Sequence, residues 1–185
     1  MAVQASQLIS LTISITGGAI KLSANKIVKF LASGANTLIG YIDNQDRYVQ
    51  KLVTQSLVTI DTAAQRTQAV TLLDGTVIYI NSDNIIYLDD TAAGTDITYW
   101  NQGVAAPEII RVSESPAAIN TVAGNTFAVV TQTGAVTRYI NNLFIGQVAP
   151  SGTGAQITYD SKRSAYEILY VVATPASVQT TVNAL

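Results

Sequence analysis

Apolar and polar residues alternate along much of the chain, which is the pattern of strands that cover a core with one face. Leu11 to Ile15 alternates strictly, and Val, Ile, Thr and Tyr fill the runs between Gly, Asn and Asp turns. A period of two places one set of side chains on a core and the other set outward. Gly17-Gly18 and Asp74-Gly75 suit hairpin turns because they tolerate positive φ. The pattern therefore predicts a mainly β protein.

The pattern also recurs along the chain. Ser56 to Asp61, Ser115 to Asn120 and Thr174 to Gln179 align with one another, and the step between them is 59 residues each time. Tandem units bury a core by stacking on copies of themselves, and they present surfaces more often than a single catalytic cleft. We therefore predict three repeats of about 59 residues, packed as one compact unit, at residues 1–60, 61–119 and 120–185.

Each repeat shows the same order of local signals. A first strand is predicted at Leu38 to Tyr41, Asp96 to Tyr99 and Gln156 to Tyr159, and a second at Tyr48 to Thr54, Glu108 to Ser113 and Glu167 to Val172. Ser115-Pro116 and Thr174-Pro175 match a helix N-cap followed by proline at the first helical position. Each repeat is thus predicted to be an antiparallel meander of four or five strands closed by a short helix. Three such copies in one chain are compatible with a pseudo-threefold arrangement.

Composition narrows the range of possible functions. The chain has neither Cys nor His, which removes disulfides, thiolate chemistry and Ser–His–Asp or Cys–His catalysis. We therefore predict that the protein is not an enzyme and needs no cofactor. Charged residues make up only 12% of the chain, against about 25% in typical domains. Charged residues are depleted at the centres of protein interfaces, so the low charge content favours a surface that is partly covered in an assembly. The alternative is a free domain with an uncharged polar surface.

The few charges are unevenly shared among the repeats. Residues 1–60 carry five cations against two anions (+3), residues 61–119 two against eight (−6), and residues 120–185 three against two (+1). Complementary charge of this kind sets the register of neighbours more than their affinity. We therefore assign candidate interface roles to the following residues: Lys21, Lys26, Lys29, Asp89, Asp90 and Asp96.

The acidic residues raise the question of a metal. Asp89, Asp90 and Asp96 are predicted to share one loop, with Asp83 upstream, and hard cations take several such oxygens. The spacing does not match an EF-hand and the other repeats lack these acids, so a solvated acidic loop is preferred and no metal site is assigned. Ser151 to Gly154 lacks a P-loop lysine, and a hairpin loop is the preferred interpretation.

Two other partner classes are disfavoured. The acidic balance, with a pI near 4.9 and no basic stripe, disfavours nucleic acid. No run is long and apolar enough for a bilayer-spanning helix, so no membrane partner is expected.

The aromatic residues divide into two groups. Tyr41, Tyr99 and Tyr159 occupy equivalent places in the three repeats and are predicted to lie in the core. Trp100 has no counterpart, and it is a candidate interface anchor if it lies on the outward side of its strand. The alternative, that Trp100 caps the local core, remains open.

The pattern Gly-x-Val-x-Tyr-Ile-Asn-x-Asp, a Gly-Thr-x-Ile strand and a Val-x-Glu-Ser helix start are best preserved over residues 75–115. This stretch resembles a small β-meander module of tailed-phage structural proteins and the short flagellar FlbD-like module. The first copy departs from the pattern, since it lacks both Tyr-Ile-Asn and Glu-Ser. The resemblance covers each repeat loosely and carries over no site residue.

The resemblance implies a bacteriophage virion protein, of the capsid auxiliary, decoration or cement type. Such a protein would stabilise a shell assembled in the host cytoplasm by binding the major capsid protein or other virion proteins, with self-association also possible. The first alternative is a head-fibre, portal-vertex or tail component, which would be a true cyclic oligomer. The second is a glycan-binding three-repeat β module, which would need three equivalent aromatic–polar pockets.

Overall fold

The computed structural model of the protein describes residues 8–64, 66–101, 106–162 and 166–185. These residues form a mainly β protein with fifteen strands in four antiparallel sheets and three α-helices. None of these helices has the length and apolar character needed to span a bilayer.

The chain divides into two compact units, and each is described by itself. The first unit comprises Met1–Asn81 with Asn101–Val104, and the second comprises Ser82–Trp100 with Ala105–Leu185.

The first unit contains a two-stranded hairpin, a five-stranded sheet and one helix. In chain order its elements are β1 (Leu8–Thr12), β2 (Ala19–Ser23), β3 (Ile27–Ser33), β4 (Asn36–Ile42), β5 (Tyr48–Val53), α1 (Leu57–Ala64), β6 (Thr67–Thr71) and β7 (Val77–Asn81). The hairpin is β1-β2, and the order in the larger sheet is β5-β4-β3-β7-β6.

One hydrophobic core joins the β1-β2 hairpin, the strands β3 to β5 and the helix α1 of the first unit. Leu11 of β1, Phe30 of β3, Ile39 of β4 and Ile60 of α1 belong to a single cluster, and each is almost fully buried. Burial of a side chain of this size contributes about 1.5–3 kcal/mol relative to leaving it exposed. The hairpin is therefore held by side-chain packing on the sheet and helix, in addition to a single bridge between Ile13 and Val53.

The second unit contains a five-stranded sheet, a three-stranded sheet and two helices. In chain order its elements are β8 (Ile85–Thr91), β9 (Gly94–Tyr99), β10 (Glu108–Val112), α2 (Pro116–Ala123), β11 (Thr126–Val130), β12 (Thr137–Asn141), β13 (Ile145–Ser151), β14 (Gly154–Asp160), β15 (Tyr166–Val171) and α3 (Pro175–Ala184). The sheet orders are β10-β9-β8-β12-β11 and β13-β14-β15.

Among the described residues of the second unit, buried side chains form the following clusters. Phe127 of β11, Ile157 of β14 and Val178 of α3 share one cluster, which joins the end of the larger sheet to the smaller sheet. Tyr87 and Tyr159 share another, with their rings edge to face at 6.0 Å.

The predicted helix starts and strands agree with the structure. Ser115 Oγ accepts a hydrogen bond from the Ala118 N–H at 3.3 Å, and Thr174 Oγ1 accepts from the Ser177 N–H at the same distance. Prolines follow both caps at the start of the helix. The strands predicted from the apolar runs fall within β4, β9 and β14 and within β5, β10 and β15, to within a residue at the ends.

The strand pairing differs from the predicted continuous meander. β7 and β8 follow each other in the chain but belong to different sheets. A 3-10 turn at Ser82–Asn84 separates them and redirects the backbone. As a result the hairpin of β6 and β7 joins the first sheet through β7, which pairs with β3 across the predicted boundary at residue 61. The hairpin of β11 and β12 joins the second sheet in the same way, because β12 pairs with β8. The domain boundaries themselves remain a prediction.

Candidate interaction surface

An apolar stripe runs along the outward face of the last strand. Tyr166, Ile168, Tyr170 and Val172 are 67%, 51%, 46% and 58% exposed, whereas Val171 between them is fully buried. Tyr166, Ile168 and Tyr170 alternate along β15 and therefore point to the same face, and Val172 follows directly after the strand. We call these four residues the β15 stripe. Contiguous exposed apolar patches on soluble proteins mark sites of contact with other molecules.

The backbone around the stripe is held on both sides. β15 pairs with β14 along its whole length, from Tyr166 opposite Asp160 to Val171 opposite Ala155. On the other edge, the Gln132 N–H donates to the Tyr170 carbonyl at 2.8 Å and the Val172 N–H donates to the Val130 carbonyl at 2.9 Å. The stripe is therefore presented by an ordered strand and not by a loop.

An open groove of about 520 Å³ lies beside the stripe. Ile168 and Tyr170 line it from β15, Asp89 and Asp90 line it from β8, and Arg138 lines it from β12. The groove thus combines apolar side chains with fixed charges, which is the composition of surfaces that recognise other proteins.

Arg138 is the centre of a polar network at this groove. Its Nε and Nη2 donate to Asp89 Oδ1 and Oδ2 at 2.6 and 2.9 Å, and its Nη1 donates to Tyr159 Oη at 3.3 Å. Tyr159 in turn donates to Glu167 Oε2 at 2.7 Å. The guanidinium also lies 4.4 Å from the centre of the Tyr87 ring, an arrangement that cation–π attraction favours.

Tyr159 is held in its neutral, donating form. It is 1% exposed, and burial together with the hydrogen bond to the Glu167 carboxylate raises the pKa of its hydroxyl well above the ordinary value. Tyr41, Tyr99 and Tyr159 are all buried, which confirms their prediction as core residues.

Asp89, Asp90 and Asp96 lie in two paired strands and do not share the predicted loop, and the position of Asp96 agrees with the strand predicted at Asp96 to Tyr99. Asp89 and Asp90 belong to β8, and Asp96 belongs to β9 directly opposite Asp89. The apolar run Ile85 to Leu88 forms the first part of β8, and its side chains are fully or almost fully buried. The strand continues through Asp89 and Asp90. Two arginines then neutralise the facing carboxylates, since Arg138 pairs with Asp89 and Arg111 pairs with Asp96 at 2.6 Å each.

These four residues form a row across four strands. Arg138 lies opposite Asp89, Asp89 opposite Asp96, and Asp96 opposite Arg111, in the order β12-β8-β9-β10. The hydrogen bonds from Arg111 lower the pKa of the Asp96 carboxyl below its usual value. Asp90 is exposed beside this row and faces the groove. Within the described residues, no group of three or more acidic side chains is placed to hold a metal ion.

Trp100 is half-buried and packs against the cluster that contains Tyr87, Phe144 and Tyr159. The Lys162 ammonium lies 4.6 Å from the centre of its ring and is paired with Asp160. The indole therefore packs against the local core and also lies close to a cation. Its role as an interface anchor remains a prediction.

The three lysines of the predicted interface lie in the first unit. Lys21 is exposed on β2, and Lys26 forms an ion pair with Asp46 at 3.2 Å. Lys29 lies on β3 opposite Gly40 and Ile80. Lys21 and Lys26 line the same open groove, of about 590 Å³. No observation tests these residues as an interface.

Sequence reasoning did not identify the β15 stripe or the arginines. The signal was available in the sequence, because β5, β10 and β15 differ in the residues at alternate positions. β5 carries Tyr48, Gln50 and Leu52 there, β10 carries Ile109 and Arg111, and only β15 carries apolar residues throughout. The arginines pair with partners 15 and 49 residues away, and such separations are invisible without the strand register.

Comparison with protein-family models, with curated proteins and with solved structures finds no match for this chain.

Proposed function

We propose that the protein is a bacteriophage virion component of the capsid auxiliary or decoration type, which stabilises a shell by protein–protein contacts. It would bind the major capsid protein or another virion protein and reside in the assembled particle. The observation that carries the proposal is the β15 stripe, a row of four exposed apolar residues beside a groove with fixed charges. A surface this apolar on a chain with 12% charged residues favours a covered state.

The architecture we propose is three tandem repeats, each with one hairpin, three further strands and a helix. Support comes from the helices, where Ile60, Ile119 and Val178 lie at the constant step and are 0%, 0% and 2% exposed. The two five-stranded sheets also share one order of strands along the chain. A pseudo-threefold arrangement of these repeats would let one chain occupy a symmetric position on a shell.

The alternatives make different demands on the molecule. A glycan-binding module would need equivalent exposed aromatic residues, whereas the three equivalent tyrosines are buried. A head-fibre, portal-vertex or tail component would be a closed cyclic oligomer of fixed size. Particle mass in solution separates this last class from a decoration protein.

The first test is binding to empty shells of the virus whose genome encodes the chain. The purified protein is titrated onto shells that lack it, and the bound amount is measured after sedimentation. We expect saturation at a fixed number of copies per shell. Binding that does not saturate, or no binding, would contradict the proposal.

The second test assigns the contact to the β15 stripe. Ile168→Thr removes an apolar group from the stripe but keeps β-branching, and we expect it to weaken shell binding about tenfold or more. Ile109→Thr is the matched control, because Ile109 holds the equivalent place on β10 and is 54% exposed against 51% for Ile168. Equal weakening by both variants, or by neither, would show that the stripe is not the binding surface.

A further inference from the structure

One strand pairing occurs twice in the chain with the same register. β3 pairs with β7 through Phe30 opposite Tyr79, and β8 pairs with β12 through Leu88 opposite Tyr139. Each contact spans three residue pairs. The hairpin closures of Ser33 with Asn36 and of Thr91 with Gly94 fix the equivalence of β3 and β8.

A buried asparagine fastens each of these two contacts. Asn81 Nδ2 donates to the Ile27 carbonyl at 3.0 Å, and Asn141 Nδ2 donates to the Ile85 carbonyl at 2.7 Å. Both amides are almost fully buried, so each bond satisfies a carbonyl at the start of the receiving strand. The chain therefore contains the same type of strand contact twice, which we call the joint. In each joint the second strand of a hairpin (the donating strand, β7 or β12) pairs with the first strand of an earlier group of strands (the receiving strand, β3 or β8).

Two further strands each resemble one half of this joint. β13 is equivalent to β3 and β8, since Ser151 closes on Gly154, and among the described residues it pairs only with β14. β2 is equivalent to β7 and β12, and in that part of the chain it pairs only with β1. In the part of the chain that the structure describes, one receiving edge and one donating edge therefore have no partner strand.

The surroundings of both edges are more open than at the completed joints. Ile27 and Ile85 are 0% exposed, whereas Ile145 at the same place in β13 is half-buried and Gly146 beside it is exposed. Along β2, Ile20 to Leu22 border the open groove of about 590 Å³ in the first unit. These are the places that a neighbouring strand covers in the completed joints.

We propose that β2 of one copy of this chain adds to β13 of a second copy, antiparallel and in the register of the two internal joints. Lys21 then lies opposite Val148, Leu22 opposite Gln147 and Ile20 opposite Ala149. The contact is heterologous, because it joins different surfaces of the two copies. Copies therefore associate head to tail, and they form an open series unless the rotation closes a ring.

The residues at these edges make the contact weaker than the internal joints. Ser23 replaces the fastening asparagine, and Pro150, just beyond the three paired positions, has no N–H to donate. Lysine and proline are residues that limit uncontrolled pairing at sheet edges. The association is consequently reversible and depends on concentration, while the internal joints are permanent.

The equivalence also supplies a test that reports on register. Ile20 corresponds to Arg138 and Ala149 corresponds to Asp89, the pair that joins β12 to β8 with two hydrogen bonds. The double variant Ile20→Arg/Ala149→Asp places the same opposite charges across the new contact. The double variant Ile20→Arg/Ala149→Lys places like charges there, and it shares any effect of the substitution at residue 20.

The measurement is sedimentation velocity of the full chain over a range of concentrations, without shells. We expect weight-average mass to rise with concentration for the native chain. The Ile20→Arg/Ala149→Asp variant should self-associate about tenfold more tightly than the Ile20→Arg/Ala149→Lys variant. The reason is that the interaction free energies of opposite and like cross-strand charges differ by roughly 1.4 kcal/mol.

Equal weight-average masses for the two double variants would overturn the proposal. The proposal would also be wrong if both the native chain and the Ile20→Arg/Ala149→Asp variant stayed monomeric. Association that Ile168→Thr abolishes and the charge pair does not change would place the contact on the β15 stripe and reject the β2–β13 joint. Because no shell is present, these outcomes are independent of the proposed function.

Discussion

The two five-stranded sheets share one strand order but differ in the side chains of one row that crosses four strands. In the first sheet the row of directly opposed residues is apolar: Ile78, Leu31, Leu38 and Leu52. In the second sheet the equivalent row is charged: Arg138, Asp89, Asp96 and Arg111. The strand order and register are the same in both. The backbone pairing therefore maintains the scaffold with either an apolar or a charged row of side chains.

The largest effect on stability should come from a position where the backbone conformations of the two five-stranded sheets differ. Gly94 has a φ of +134°, and a Cβ there would lie 2.0 Å from the Val112 carbonyl oxygen. Gly94→Ala should lower the free energy of unfolding by more than about 3 kcal/mol, because it combines strain with a clash against backbone. Denaturant unfolding measures the change.

The control for this prediction is the equivalent position of the first sheet. Asn36 already carries a side chain at the start of β4, so Asn36→Ala should cost less than about 1 kcal/mol. Comparable losses at Gly94 and Asn36 would mean that the close approach to Val112 does not limit the second sheet.

The next effect concerns the charged row itself. Arg138→Ile alone leaves the half-buried Asp89 beside Asp96 without its partner, and we expect a loss of about 2 kcal/mol in the free energy of unfolding. Arg138→Ile with Asp89→Leu installs the residues that the first sheet uses, Ile78 and Leu31. This double variant should lie within about 1 kcal/mol of the native chain, because a well-packed apolar pair can replace an ion pair.

The exposed end of the row provides the matched comparison. Arg111 is more exposed than Arg138, so Arg111→Met should cost less than about 1 kcal/mol. If the Arg138→Ile/Asp89→Leu variant is as unstable as Arg138→Ile alone, the two rows are not interchangeable on this scaffold.

The smallest effect is a pH dependence that both units should share. Hydrogen bonds from Arg47 lower the pKa of Asp43 in the first unit to about 2, and those from Arg111 lower the pKa of Asp96 in the second. A carboxyl with a lowered folded-state pKa contributes stability above its unfolded pKa, near 3.9, and loses it as the pH falls through the folded value. Stability should therefore decline on acidification below about pH 4.

Carboxyl titration followed by NMR checks the cause residue by residue. Arg47→Gln should return the pKa of Asp43 toward its ordinary value of 3.8 and leave that of Asp96 unchanged. An Asp43 carboxyl that titrates near 3.8 in the native chain would contradict the assignment.

Local features of the fold were predictable from sequence. Apolar alternation located the strands that contain Tyr41, Tyr99 and Tyr159, and the Ser-Pro and Thr-Pro pairs located two helix starts. These features depend on residues within a few positions of one another, where period and capping chemistry act.

The pairing between distant strands was not predictable in the same way. The local sequence predicts a loop at Asp89 and Asp90, and aspartate is indeed a poor strand former in isolation. Their place in a strand depends on Arg138, 49 residues further along the chain, which neutralises Asp89. The addition of β7 to β3 likewise depends on a 3-10 turn and on Asn81, whose acceptor lies 54 residues earlier.

Electron cryomicroscopy of shells decorated with the native chain would test the proposed function most directly. The account predicts density for the chain at fixed sites, with Tyr166, Ile168, Tyr170 and Val172 of the β15 stripe turned toward the shell and covered by it. A chain bound with this stripe facing solvent, or found only as a closed ring at one vertex or in the tail, would contradict the account.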